Sequence, residues 1–458
     1  MAAFDSGARF DPPRCTESTR LGIIRRIEEW IETDRCDGVR ASIFWLYGGA
    51  GVGKSAIAQS LSESVQAKKE LAASFFFFRS DASRNNGKDL IPTVVSQLVN
   101  TFKGLDCFVR DKIHTSPQLF TKQYQVQMQE LLVEPFSIWL EFQPMLGTLP
   151  RHDAEPLPGA ETINVHGSWP RLVVIDGLDE CQNPDVQCEL LRVIARAVPN
   201  IPYPLRFLIT SRPESHITRV FDHDRDLRAA IIHRYNLSND PDADADIRKF
   251  LETEFKEICR VHPLGKYLSL DWPDQTAINR LVEQSSGHFI YASTVIRYIR
   301  SPKHRPDDRL EVILCLQSPH NHDQPYGQLD TLYSWVFQGV ESPGQLEKIC
   351  LVFGILYLHS RKVGLFRLTN SYQSEIEGFL ELKAGDLILL IDPILSLIAI
   401  NQDGNIQIFH KSLFDYLLDP SRGGHLPFDL AWVHEVAATH FLKKDIHANG
   451  CEFFLPWI

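Results

Sequence analysis

The stretch Ala41–Ser55, ASIFWLYGGAGVGKS, decides the fold of this chain. Ala41–Tyr47 is a nearly unbroken apolar run of strand length, the pattern of a strand buried on both faces. It leads directly into Gly48-Gly49-Ala50-Gly51-Val52-Gly53-Lys54-Ser55, which fits G-x-x-x-x-G-K-[ST]. Beyond it, Ile57, Leu61 and Val65 recur at four-residue spacing, the apolar stripe of an amphipathic helix. Glycines let successive backbone N–H groups turn around an anion without a Cβ in the way. The helix that follows adds free N–H groups and the positive end of its dipole. On this reading Gly48–Ser55 cradle phosphates, Lys54 reaches the β- and γ-phosphates, and the Ser55 hydroxyl ligates Mg²⁺.

Arg171–Cys181, RLVVIDGLDEC, is the second chemical motif. Leu172–Ile175 predict a buried strand ending at Asp176. A carboxylate there lies on the same sheet edge as the glycine loop and can hold Mg²⁺, usually through water. Asp179 and Glu180 follow within one turn, close enough to orient or deprotonate an attacking water. Leu205–Arg212, LRFLITSR, predicts another buried strand, with Thr210, Ser211 and Arg212 emerging at that edge. Arg212 is then a candidate sensor of the γ-phosphate; the plainer reading is an arginine paired with a nearby carboxylate. Arg79, directly after the run AASFFFF, is a weaker candidate for the same site.

At 458 residues, with 44% hydrophobic and 23% charged residues, the chain has room for about three globular domains. A net charge of −11 argues against a general nucleic-acid binder. The nine cysteines are scattered, and no second pair joins Cys181 and Cys188 in a zinc spacing, so reduced thiols are expected. The N-terminus carries no signal-peptide pattern. The longest apolar run, Leu387–Ile400, is interrupted by Asp392-Pro393 and is too short to span a bilayer. A soluble cytoplasmic protein is expected.

Along the chain, residues 1–15 read as a flexible lead-in. Leu21, Ile24, Ile27, Trp30 and Ile31 then trace a short helix. Ala72–Phe78 predicts a second strand, Asp81–Lys88 a polar loop, and Ile91–Phe102 and Gln123–Leu140 helices. Residues 141–170 read as an irregular insertion and His233–Leu237 as a fifth strand. Strand–helix alternation implies a parallel sheet with helices on both faces. From Asp240 the pattern turns helical, starting with a helix capped by Asp242 or Asp244 and continuing with Gln275–Gln284 and a helix ending near Ile299. Ser301–Arg309 reads as a hinge. IAINQDGNIQIF predicts a hairpin at Asp403-Gly404, and helices closed by a hairpin suggest a winged helix.

GGAGVGKS, FFFF-Arg79, LVVIDGLDEC, FLITSRPE, GHFIYA and FHKSLFDYL occur in the order found in NACHT-domain proteins, the signal-transducing (STAND) P-loop ATPases. The chain resembles most the group with a nephrocystin 3-like N-terminal domain, abundant in fungi, over about residues 15–430. The resemblance implies a nucleotide-binding domain at 40–239 after an N-terminal segment and leading helix at 1–39. It also implies a helical domain at 240–325, a winged-helix domain at 326–430, and at 431–458 the start of a truncated helical region. It implies ATP or ADP with Mg²⁺ as cofactors: Gly48–Ser55 as the phosphate loop, Ser55 and Asp176 on the metal, Asp179 and Glu180 beside the attacking water, and Arg212 as sensor. His410, in FHKSL, matches the winged-helix histidine that touches the β-phosphate of ADP in relatives. The TSR strand is expected between the phosphate-loop strand and the LVVID strand. Phe289 stands where relatives often carry an adenine-contacting proline.

The expected function is a slow ATPase switch controlling self-association and signalling, with effector or repeat domains supplied in trans, no specific nucleic acid and no membrane span. The alternative is a scaffold that binds nucleotide for stability without turnover. A P-loop kinase or motor fits the helical second half less well.

Overall fold

The computed structural model describes residues 2–7, 9, 12–32, 41–79, 81, 83–142, 170–229, 231–316, 326–340, 342–360, 372–400, 404–410 and 412–448. The chain divides into two units, Met1–Arg79 with Ser83–Asp242, and Ser80–Ala82 with Ala243–Ile458.

In the first unit α1 (Leu21–Glu32) precedes β1 (Ala41–Tyr47), α2 (Lys54–Ala67) and β2 (Leu71–Phe76). Then come α3 (Leu90–Thr101), α4 (Leu105–Thr115), α5 (Tyr124–Met128), a π-helical segment (Gln129–Val133) and α6 (Glu134–Phe142). β3 (Leu172–Asp176), α7 (Pro184–Ala197), β4 (Arg206–Ser211), α8 (Ser215–His223), α9 (Arg225–Ala229) and β5 (Ile231–Asn236) complete it. The five strands are parallel, in the order β2-β3-β4-β1-β5. The TSR strand β4 therefore lies between β1 and β3, as expected.

The near-continuous apolar strands follow from burial on both faces. Ile43 and Trp45, Val173 and Ile175, and Phe207 and Ile209 point to one side, where they meet Val94, Leu98, Leu190, Ile194 and Phe221. Phe44 and Leu46, Leu172 and Val174, and Leu208 point to the other, against Ile23, Ile27, Ile57 and Leu61 of α1 and α2. Burying each such side chain contributes about 1.5–3 kcal/mol. This is an α/β fold of the P-loop kind.

Several expectations are corrected. The lead-in is packed rather than flexible: the Ala2 carbonyl accepts from Phe76 N–H at 2.8 Å, and Phe4 N–H donates to Ser74 Oγ at 2.9 Å. The helix expected over Gln123–Leu140 is present but passes through the π-helical segment, which directly precedes Glu134-Pro135; proline cannot donate into a regular α-helical ladder. β2 stops at Phe76, after which Phe77 N–H bonds to Asp176 O and Phe78 N–H to Arg84 O. The insertion is outside the described residues except at 141, 142 and 170.

The second unit holds α10 (Ala243–Val261), α11 (Gln275–Ser285), α12 (Phe289–Ile299), α13 (Pro306–Cys315), α14 (Gly327–Gln338), α15 (Pro343–Ser360), α16 (Tyr372–Phe379) and α17 (Asp386–Ile391). An antiparallel pair follows, β6 (Ile398–Ile400) and β7 (Ile406–Ile408), with Ile398 opposite Ile408. This is the predicted hairpin; Gly404 has φ +76° and Asp403 lies outside the described residues. α18 (Ser412–Leu418), α19 (Pro420–Gly423) and α20 (Leu430–Ala448) end the unit. Asp244 sits in the first turn of α10, where its charge suits the helix dipole, and Asp274 caps α11 by accepting from Ala277 N–H at 2.7 Å. Half of the expected hinge is helix: Pro306 occupies the first turn of α13, where its missing N–H costs nothing. The cysteines described are free thiols. Among the described residues no helix is long and apolar enough to cross a membrane.

Candidate functional site

Parallel pairing sends the C-terminal ends of β1, β3 and β4 to one edge of the sheet, the edge at which such folds place ligands. Register sets Leu46 of β1 beside Thr210 and Tyr47 beside Ser211. The glycine loop leaves β1 at this level and ends at Gly53, whose φ of +101° is a conformation that side-chain-bearing residues rarely adopt. Gly48 sits where a side chain would be crowded. A Cβ there would lie 3.1 Å from both Ser238 Oγ and Val52 Cγ2. Ser238, in the turn after β5, accepts the Gly49 N–H at 2.9 Å and so backs the loop. Gly48, Ala50 and Val52 are buried, while Gly49 and Gly51 are partly open.

Lys54 opens α2. Its ammonium donates to the Gly48 and Gly49 carbonyls, each at 2.8 Å, which holds it across the loop. Asp176, at the tip of β3, is only 2% exposed. Thr210 Oγ1 donates to its Oδ1 at 2.5 Å and itself accepts Gly177 N–H at 2.9 Å. Ser55, the next residue of α2, lies close enough to act on the same carboxylate and lower its pKa. Burial pushes the Asp176 pKa up; Thr210 and Ser55 oppose this, Glu180 adds to it, and Arg9 opposes it. Lys54, Ser55 and Asp176 thus share one edge. A buried carboxylate beside a hydroxyl and a lysine is a hard-oxygen donor set that fits a magnesium-bound phosphate chain; a cation there compensates the desolvated charge.

Beside this group lies the acidic turn Leu178–Glu180, one turn of 3₁₀ helix. The Asp179 side chain is fully buried. It accepts the Arg212 N–H at 2.9 Å, and Arg212 Nε stands 3.5 Å from its other oxygen. The plainer reading of Arg212, an ion pair with a nearby carboxylate, is therefore realised in the geometry. Glu180 accepts the Arg79 N–H at 3.1 Å, and the Arg79 guanidinium donates to the Asp179 carbonyl at 3.1 Å. Arg79 is thus tied to the acidic turn. Gln187 braces the turn from α7 by donating to the Cys181 carbonyl at 2.6 Å.

His410 belongs to the second unit. Its Nδ1 accepts the Ser412 N–H at 3.1 Å and lies 2.7 Å from Ser412 Oγ. Ser412 Oγ in turn lies 2.9 Å from the buried Tyr333 hydroxyl. Because Nδ1 accepts a backbone N–H, the proton of the neutral ring sits on Nε2. Phe289 is the first residue of α12 and packs edge-on against Phe250 at 6.0 Å.

The sequence did not reveal four contributors. The Ser238 backing of the loop carries no local signal. Arg9 lies over the Phe76 ring at 3.6 Å, and burial lowers its pKa to about 10. Arg20 and Asp240 form a buried ion pair against the loop.

Residues 25–145 and 160–212, together less than half of the chain, match the family model for Nephrocystin 3, N-terminal. No curated protein matches the chain. Among solved structures it is similar to a Walker-type ATPase of Pyrococcus abyssi, with 15% identity over 88% of this chain and 97% of that one and a TM-score of 0.39. It is also similar to ORC2 of Aeropyrum pernix in ADPNP–ADP complexes, with 12% identity over 96% and 97% and a TM-score of 0.35. RuvB of Thermotoga maritima shows 11% identity over 89% and 97%, with a TM-score of 0.33.

Proposed function

We propose that this chain is a nucleotide-controlled switch of the NACHT type, which binds ATP or ADP with Mg²⁺ and hydrolyses ATP slowly to control self-association. The observation that carries this reading is the placement at one edge of the sheet of Lys54, whose ammonium bonds the Gly48 and Gly49 carbonyls, and the buried Asp176 carboxylate at the tip of β3. Ser55 and Asp176 would hold the magnesium. Bound there, the metal supplies charge neutralisation on the phosphate being transferred. Lys54 exchanges its two loop carbonyls for phosphate oxygens. Glu180 orients and deprotonates the attacking water. Asp179, engaged by Arg212, fixes the turn that carries Glu180, and Arg212 transmits the state of the γ-phosphate to it.

In the second unit the β6–β7 hairpin with α18 is read as part of a winged helix. His410 is its phosphate contact, with Nε2–H as the donor. ADP favours one arrangement of the switch and ATP another, as differential affinity requires.

One observation favours the alternative, a nucleotide-stabilised scaffold without turnover: the Asp179–Arg212 pair occupies two groups assigned to hydrolysis. Two measurements on the purified chain decide. Extracted nucleotide should be ADP or ATP, and the Lys54→Ala chain should carry none. Phosphate release above the Lys54→Ala background supports the slow ATPase; release equal to that background, with nucleotide still bound, supports the scaffold. A wild-type chain that neither carries nor takes up nucleotide contradicts both.

A further inference from the structure

The segment that precedes α1 carries unusual backbone. Ser18 and Arg20 have φ of 68° and 56°, left-handed values that cost energy for residues with side chains. Between them Thr19 is buried, its hydroxyl and N–H both bonded to the Thr16 carbonyl. This conformation delivers the Arg20 side chain into the first unit, where it is 2% exposed. One guanidinium nitrogen donates to the Val52 carbonyl, inside the glycine loop, at 2.8 Å. Another pairs with Asp240, which is 6% exposed and also accepts the Tyr235 hydroxyl at 3.2 Å. Asp240 lies three positions before α10, where the chain passes into the second unit.

A buried ion pair is a poor way to gain stability, because both charges must first be desolvated. The planar guanidinium fork, however, spans two acceptors with fixed geometry, which an ammonium cannot do. We propose that Arg20 is a positioning residue of the glycine loop, and that the Arg20–Asp240 pair ties the loop's conformation to the segment by which the chain leaves the first unit. A shift of the Val52 carbonyl on phosphate binding is then felt at Asp240, and a pull on Asp240 is felt at the loop. The inference rests on the loop being a nucleotide site.

The test is hydrogen exchange on the wild-type chain with and without ADP and Mg²⁺, together with ADP titration of Arg20→Lys and Asp240→Asn. ADP is expected to slow exchange in residues 48–55 and, in the same experiment, in residues 16–20 and 237–242. Both variants are expected to weaken ADP binding about tenfold and to lose the protection at 237–242. Protection confined to 48–55 in the wild type overturns the coupling, whether or not the variants fold. A folded Arg20→Lys chain with a lowered melting temperature and wild-type ADP affinity reduces the pair to a structural role and also overturns it. A folded wild-type chain that binds no ADP overturns the nucleotide reading itself, and this inference with it.

Discussion

Thr210 donates its hydroxyl to Asp176 across 2.5 Å, so the carboxylate at the tip of β3 is set by the neighbouring strand rather than by a loop. β4 lies between β3 and β1, so Asp176 is held from the strand that separates it from the glycine-loop strand. The same threonine accepts Gly177 N–H, which anchors the start of the acidic turn. A regular sheet thus prearranges the site at the level of single side chains.

Burial raises the Asp176 pKa, so folding disfavours its charged form relative to the unfolded chain. A group raised in this way contributes stability below its unfolded value, and that contribution is lost as pH rises through the folded value. Above the ordinary aspartate range folding of the wild type is therefore opposed by a desolvation cost that Asp176→Asn does not carry. Without nucleotide, Asp176→Asn should melt higher at pH 7, by about 2–4 °C for each ~1 kcal/mol relieved. The gap should close as pH falls toward the ordinary aspartate range. The same variant should lose stabilisation by Mg²⁺ and ADP. Calorimetric scans at several pH values check both; a nucleotide-free variant less stable than wild type at pH 7 counts against the assignment.

Glu180→Gln removes the proposed base while keeping its shape and its bond from the Arg79 N–H. Nucleotide affinity should be unchanged and phosphate release should fall by about 10²–10⁴-fold. Single-turnover assays measure this directly, and unchanged turnover removes Glu180 from the chemistry.

His410→Ala removes the Nε2–H donor that Ser412 and Tyr333 hold in place. A charge-assisted hydrogen bond is worth about 1.5–3 kcal/mol, so ADP should leave roughly 10- to 100-fold faster. A stopped-flow chase with a fluescent-labelled ADP tests it. An unchanged off-rate assigns His410 to structure.

Gly354 marks where α15 and α20 touch. A Cβ there would lie 2.4 Å from Val433 Cγ2, and Val433 is fully buried. Gly354→Ala should overpack this contact and destabilise the chain by about 1–3 kcal/mol. Urea unfolding is the measurement, and a loss below the resolution of the titration contradicts the packing.

Local signals carried most of the first unit. Apolar runs of strand length ended in glycine or aspartate at the site, and the loop motif fixed which edge they shared. α7 also has a local start, with Asn183 capping Asp185 N–H and Pro184 in the first turn, followed by Leu190, Leu191 and Ile194. α4 buries only Leu105 and Val109, so its stripe is faint. The packing of residues 2–7 uses backbone hydrogen bonds, which leave no periodicity to read. The Arg20–Asp240 pair joins positions 220 apart, with no pattern connecting them. Pro306 lies within the expected hinge but at a first helical turn, where proline starts a helix rather than ending one.

The central claim is that the glycine loop binds a nucleotide phosphate chain through Lys54. Titration calorimetry of ADP with Mg²⁺ against the folded wild-type and Lys54→Ala chains tests it most directly. The account predicts saturable one-to-one binding to the wild type and none to Lys54→Ala at the same concentrations. Equal affinity in the two chains, or no binding to a folded wild type, would contradict it.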